Sequence, residues 1–310
     1  MLFPAACNLP QYPLMAKKLL EKRGHGFEKV EVFASEIRMK EFPLELVHDV
    51  YCSYLLGGLL RKIGCRLRPY EQNPGETERV IEDARLRLCR CFVTGESKEA
   101  VFQENVNDFS RIALAQPPGT RPKVAIIGDL YVRDNEVFNQ GLIADLENFG
   151  AEVVTAPLTY IVRLILGRDI RSLWEDGRYL SSVSNKFLVE VLETTERRFY
   201  QAARTILQED FPSCNGAVSD NLKKYHVSWS HGGETAHNIL KIFSLLHHYK
   251  QIALFIHANP LFCCPAMVSQ ALFKTIEKDI GIPIVPLMYD GTTVRRNESL
   301  APYLHYISHA

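Results

Sequence analysis

No apolar run in this 310-residue chain approaches the roughly 20 residues needed to cross a bilayer, and the N-terminus lacks a basic segment followed by a long apolar core. The sequence therefore predicts neither a membrane span nor an export signal, and the cytoplasm is the expected compartment. An excess of either charge is also missing, since lysine plus arginine and aspartate plus glutamate both number 36. Without a net field, nucleic acid and membrane surfaces are not expected partners. Two phosphate-binding signatures are absent as well. The apolar segment Lys123 to Gly128 ends in a glycine, but Asp129-Leu130-Tyr131-Val132-Arg133 follows where a GxGxxG pattern would continue, so the nicotinamide fingerprint is not there. No GxxxxGK[ST] loop occurs, and the chain alone is not expected to hydrolyse ATP.

What is present is an ordinary globular composition, 46% hydrophobic and 23% charged, with enough residues for two domains. The eight cysteines, at positions 7, 52, 65, 89, 91, 214, 263 and 264, have irregular spacing and do not read as a disulfide framework. Adjacent cysteines such as Cys263 and Cys264 rarely bridge each other. Metal or redox chemistry is the better reading of the exposed ones. Others are expected to fill the core as small hydrophobes, Cys52 first among them because it lies in the apolar stretch 50–56. Cys89 and Cys91 are two apart in a helix-like stretch, so they point to different faces and make a poor chelating pair.

The segment from Gln251 to Gly291 organises the rest. Ile252-Ala253-Leu254-Phe255-Ile256 has the length and β-branching of a buried strand, stopped by Asn259-Pro260. Leu261-Phe262-Cys263-Cys264-Pro265 follows, with Pro265 suited to a helical first turn. Met267, Val268, Ala271, Leu272 and Ile276 then recur at helical spacing, and residues 282–289 are again strand-like before the Asp290-Gly291 turn. This predicts a βαβ unit with paired cysteines where strand gives way to helix, the place where open parallel sheets bind ligands.

Taken in order, the chain predicts a helix over residues 14–21 and a strand at Val30 to Ala34, so that Cys7 precedes a helix as Cys263 and Cys264 do. A helical stretch over 43–60 contains Gly57-Gly58, which allows close packing or a kink, and a charged helix runs from about Glu76 to Arg90. Arg66 and Arg68 between them are read either as an anion site or as surface charge. The segment 116–122, with three prolines and a glycine, is the best boundary. The domains are thus expected at 1–116, α/β and helical, and at 122–310, Rossmann-like with a helical insertion over about 158–225. Strands at 123–128 and 152–155 flank a helix at 139–149. Ser230-His231-Gly232-Gly233-Glu234 precedes a helix at 235–249, where two glycines leave N–H groups open to a ligand. His231 and Glu234 are candidate acid and base there; the glutamate's competing role is with the helix dipole.

The strings Lys123 to Arg133, Arg66-Leu67-Arg68-Pro69-Tyr70-Glu71, Asn259 to Pro265, and Tyr289-Asp290-Gly291-Thr292 resemble the 2-hydroxyacyl-CoA dehydratase superfamily. The chain is most similar to the C-terminal part of CoA-substrate-specific enzyme activase-related proteins, in order over most of its length and most weakly across 160–225. The resemblance implies two Rossmann-like, mainly parallel α/β domains with a cubane-type 4Fe-4S cluster held between them by cysteine thiolates. It also implies a low-potential electron delivered by an ATP-hydrolysing iron–sulfur activator and, in the dehydratases, a ketyl radical that expels hydroxide. Cys7 matches the family's N-terminal loop cysteine and Cys263 its C-terminal one, with Cys264 the adjacent alternative. A third ligand would come from Cys264, from Cys214 or from another polypeptide that supplies the missing first part of the N-terminal domain. Three functions compete on this basis: a cluster-bearing component of a dehydratase-like or reductive system, a non-catalytic scaffold subunit, and a cluster-free enzyme using His231 and Glu234.

Overall fold

The structure is a computed structural model and describes residues 11–33, 42–209, 211–212, 216–228, 234–249 and 251–309. Its centre is a four-stranded parallel sheet in the order β2-β1-β3-β4, built from β1 (Lys123–Gly128), β2 (Glu152–Val154), β3 (Ile252–Pro260) and β4 (Ile284–Tyr289). β1 pairs with both neighbours, Val124 lying opposite Val153 on one side and Leu254 on the other. A strand in that position is covered on both faces, which explains why it reads as an unbroken apolar run. Its side chains alternate. Val124 and Ile126 join a cluster with α5 (Leu142–Asn148) and α11 (Ala301–His309). Ala125 and Ile127 face the opposite cluster, made with α8 (Gly216–Lys224), α9 (Thr235–His248) and α10 (Cys264–Ile280). The 122–310 region is therefore a doubly wound α/β layer structure, with the βαβ unit at 252–289 formed as its periodicity predicts.

The first half of the chain is different. Among the described residues its α-helices are α1 (Tyr12–Arg23), α2 (Leu44–Leu67), α3 (Glu76–Thr94) and α4 (Lys98–Phe109), with an isolated bridge between Glu71 and Leu114. The strand expected at Val30 to Ala34 is not formed at residues 30–33, and Ala34 lies outside the described residues. Val30 and Phe33 are exposed, at 45% and 91%, and a β-branched segment without a neighbouring strand has no ladder to join. A second Rossmann-like sheet is thus not seen among the described residues of 1–116. Its place is taken by a helical core in which Leu55, Leu59 and Ile63 of α2 meet Phe102 and Val106 of α4. The predicted insertion does form as helices, α6 (Leu158–Glu175) and α7 (Tyr179–Leu207), and α7 packs into that core through Phe199, Tyr200 and Ala203.

The loop at 116–122 is tied to the helical half by Tyr70 and by Arg66, whose Nη2 donates to Pro118 O at 3.4 Å. Tyr70 OH accepts from the N–H groups of Gly119 and Arg121, each at 3.0 Å, and donates to Glu152 Oε2 at 2.7 Å. Gly58 packs closely on the entry to α6, where a Cβ would come within 2.9 Å of Pro157 Cβ. Of the glycine pair, Gly58 is thus the one that close packing requires, while a Cβ on Gly57 would meet nothing within 4 Å. Among the described residues no helix is long and apolar enough to cross a membrane.

Candidate functional site at the carboxyl ends of β1 and β3

From β1 the chain moves outward to β2, and from β3 it moves outward the other way to β4, so the topological switch point lies between the carboxyl ends of β1 and β3. Doubly wound sheets open their ligand crevice there. The two strands stay bonded up to the crevice, with Asp129 N–H donating to Ala258 O and to Asn259 Oδ1, both at 3.0 Å. Gly128 permits this approach. Its φ is +114°, and a Cβ would lie 2.2 Å from Ala258 O, so the glycine that resembles a dinucleotide signature serves strand packing. The Asp129 carboxylate then accepts from Tyr131 and Val132 N–H at 2.9 Å each, turning the chain so that Arg133 points inward.

Arg133 is 2% exposed, and none of its three guanidinium nitrogens has a hydrogen-bond partner. The carboxylate of its chain neighbour Asp134 is 3.7 Å from Nε and is already held by Arg61 at 2.8 Å. Facing it is one stripe of α9: Glu234 at the cap, then Asn238 and Lys241 one and two turns on, which places all three on one side of the helix. Asn238 is 1% exposed with both amide atoms unpartnered, and Glu234 Oε1 is unpartnered too. Glu234 accepts from the backbone N–H of Leu130, which ties α9 to the end of β1. From β3, His257 completes the group. Its Nδ1 lies 2.8 Å from Asn259 Nδ2, whose amide oxygen is used by Asp129, so the ring nitrogen accepts and the proton sits on Nε2, buried and unpartnered.

Burial sets the charge states here. It raises Glu234 above the usual carboxylate range, with Lys241 and Arg133 pulling the other way. It lowers Lys241 to about 7, helped by Arg133 and opposed by Glu234, Asp134 and Asp129. His257 is lowered to about 3 by burial and then by Lys241, so it is neutral at ordinary pH. A carboxyl group shifted up beside an amine shifted down is a pair suited to proton transfer near neutrality.

The cysteine loop lies at the same end of the sheet. Cys263 caps α10, its C=O accepting from Met267 N–H at 2.9 Å, and Cys264 opens the helix with an exposed side chain. Before them Phe262 is 72% exposed at φ +61°. Thr235 Oγ1 donates to Pro265 O at 3.1 Å, joining the first turns of α9 and α10 and so linking Glu234's helix to the cysteines' helix. Of the residues expected from sequence, Glu234, Cys263 and Cys264 are thus brought to one edge. Cys7, Cys214 and His231 lie outside the described residues. Among the described residues no three His, Cys, Asp or Glu side chains are grouped to hold a metal ion, so a cluster would need thiolates beyond Cys263 and Cys264. Cys52, Cys65 and Cys91 are core residues, and burial raises all three thiols.

Arg66 and Arg68 prove to be structural. Arg66 pairs with Glu152 at 2.6 Å, and Arg68 pairs with Glu147 at 2.6 Å and Glu78 at 2.7 Å. Asp290 and Thr292 form a turn, the carboxylate accepting from Thr292 N–H at 3.0 Å and Oγ1 at 2.6 Å and pairing with Arg296. Comparison with protein-family models, with curated proteins and with solved structures returns no match. Sequence reasoning passed over Arg133, Asn238, Lys241 and His257. Their signal was polar character in apolar surroundings, a histidine inside a buried strand and a 234, 238, 241 repeat along one side of a helix rich in apolar residues.

Proposed function

We propose that the protein is an iron–sulfur component resembling the 2-hydroxyacyl-CoA dehydratases, working in low-potential electron transfer or reductive radical chemistry. The observation that carries this reading is the place of Cys263 and Cys264, at the head of α10 on the crevice edge and joined through Pro265 to the helix that bears Glu234 and Lys241. Cysteine sulfur in its thiolate form is the ligand that holds iron–sulfur clusters. Cys263 is the proposed ligand and Cys264 its alternative, with Cys7 and a partner polypeptide completing the set. A bound 4Fe-4S cluster would supply a one-electron, low-potential centre. The chain's own residues would then hold polar substrate groups at Arg133, Asn238 and His257 and exchange a proton between Glu234 and Lys241.

Two partners belong to this reading: an ATP-dependent activator as electron donor, and a second polypeptide that supplies further thiolate ligands. Support for a protein partner comes from α7, where Leu180, Val183, Phe187 and Val191 form an exposed apolar stripe at helical spacing. The test is anaerobic purification, alone and with co-encoded proteins, followed by iron, acid-labile sulfide and visible spectra for the wild type, Cys7→Ser, Cys263→Ser and Cys264→Ser. Brown protein whose iron falls in Cys263→Ser supports the proposal. Colourless protein from every preparation sinks it and leaves a non-catalytic scaffold subunit as the reading.

A further inference from the structure

We propose that the carboxyl ends of β1 and β3 bind a small carboxylate, held by the Arg133 guanidinium, the His257 Nε2–H and the Asn238 amide. The assignment deepens the part these residues take in the iron–sulfur reading by naming the ligand class, and it can be tested apart from the cluster, since none of them is a thiol and none belongs to the cysteine loop.

The inference rests on what these groups lack. Buried polar atoms are almost always hydrogen-bonded, and an unsatisfied buried charge is costlier than any neutral group. Here a guanidinium with three unpartnered nitrogens, an imidazole N–H and a complete amide are all buried, from three different elements, at the switch point of one sheet. Elements that pack independently leave such a set only where something else completes it. The missing group must accept several hydrogen bonds, because Arg133 and His257 offer donors alone in the protonation states their surroundings impose.

Charge and shape narrow the ligand further. Water satisfies N–H groups singly but does not present two coplanar acceptors to the guanidinium, and the Asp134 carboxylate beside Arg133 is engaged by Arg61. A monoanion is the best match, since Glu234 acts on Arg133 through space without a hydrogen bond to it. A phosphate dianion brings too much negative charge into a site that already contains Glu234 and Asp129 near Arg133 and Lys241. The planar fork of arginine matches a planar carboxylate through two parallel bonds. Glu234 Oε1 and Asn238 Oδ1, the unpartnered acceptors, would take a donor elsewhere on the same molecule. Exposed Tyr131 and Phe262 stand on the β1 and β3 sides of the rim from which a ligand would enter.

The full chain, with and without iron, would be titrated by calorimetry and thermal unfolding with acetate and malonate, against phosphate and chloride at matched ionic strength. Saturable carboxylate binding is expected, with the unfolding midpoint raised by about 5 °C at 100 times the dissociation constant. Arg133→Gln and Asn238→Asp should each weaken it by at least about 10-fold, the first by removing the charge and the second by adding a like one. Arg133→Lys, which keeps the charge and loses the fork, should fall between. Asn238→Asp changes shape least and carries the test if Arg133→Gln fails to fold. No saturable binding to wild type, equal affinity in wild type and Asn238→Asp, or a preference for phosphate over both carboxylates would each overturn the assignment. Because binding is read without reference to iron, its failure and that of the cluster reading are separate results.

Discussion

Lys241 offers the sharpest test of how the crevice is built. Its ammonium is held from the ordinary 10.5 down to about 7 by burial and by Arg133. The folded chain therefore sheds a proton that the unfolded chain keeps between pH 7 and 10.5. Unfolding takes up that proton, so stability rises with pH across this window and the full penalty is reached below about 7. At about 1.4 kcal/mol per pH unit the whole interval amounts to roughly 5 kcal/mol, an upper value that relaxation of the site will reduce. Lys241→Met removes the titration and keeps most of the side-chain volume. Urea unfolding of both proteins at pH 7, 8, 9 and 9.5 should show the variant gaining most on the wild type at pH 7. That advantage should shrink by about 1 kcal/mol for each pH unit. A stability difference that stays constant from pH 7 to 9.5 would refute the buried, depressed amine and with it the electrostatic account of the crevice.

Further outcomes follow from other contacts. His257, lowered to about 3, is neutral when folded and protonated when unfolded between that value and 6.5. Acid should thus destabilise the wild type through this window, and His257→Gln should flatten the loss in a pH series of urea midpoints. Glu152→Ala strips the carboxylate from a largely buried Arg66 guanidinium and the acceptor from the Tyr70 hydroxyl proton. A cost of about 3–5 kcal/mol is expected in urea unfolding, and a cost below 1 kcal/mol would show that the helical half and the sheet are not joined there. Gly128→Ala drives a methyl into Ala258 O at a φ of +114°. It should cost about 3 kcal/mol, where an ordinary strand position would lose little.

The sheet was legible because its strands are central and parallel. Residues 123–128 and 252–256 are apolar on both faces, and both become buried strands at the expected places. The helices at 142–148, 235–248 and 264–280 follow from 3.6-residue spacing and, for α10, from a proline near its start. Val30 to Phe33 misled for the converse reason: β-branching describes a residue's fitness for a strand, and nothing in it says whether a neighbour exists. Of the candidate site, the cysteine loop and Glu234 stood out because each sits at an element boundary. Arg133, Asn238, Lys241 and His257 did not, since their meaning depends on three elements, 124 residues apart in sequence at the extremes, arriving at one place. No local pattern carries that information.

What brings Arg133 to the crevice without a carboxylate of its own is the helix that joins the two halves. α2 belongs to the helical core through Leu55, Leu59 and Ile63, yet its polar side delivers three cations to the other half of the chain. Arg61 takes Asp134 at 2.8 Å and also its backbone oxygen at 3.1 Å. Lys62 pairs with Glu209, which also accepts from Tyr249 after α9. Arg66 takes Glu152 on the edge strand. Each bond satisfies an acid that would otherwise look for a nearer base, and for Asp134 that base is Arg133, its neighbour in the chain. By claiming Asp134, α2 leaves the Arg133 guanidinium available to something that comes from outside. The docking of the helical core and the state of the crevice are thus one electrostatic arrangement, and a change that loosened α2 from β1 would be felt first as a carboxylate turning back toward Arg133.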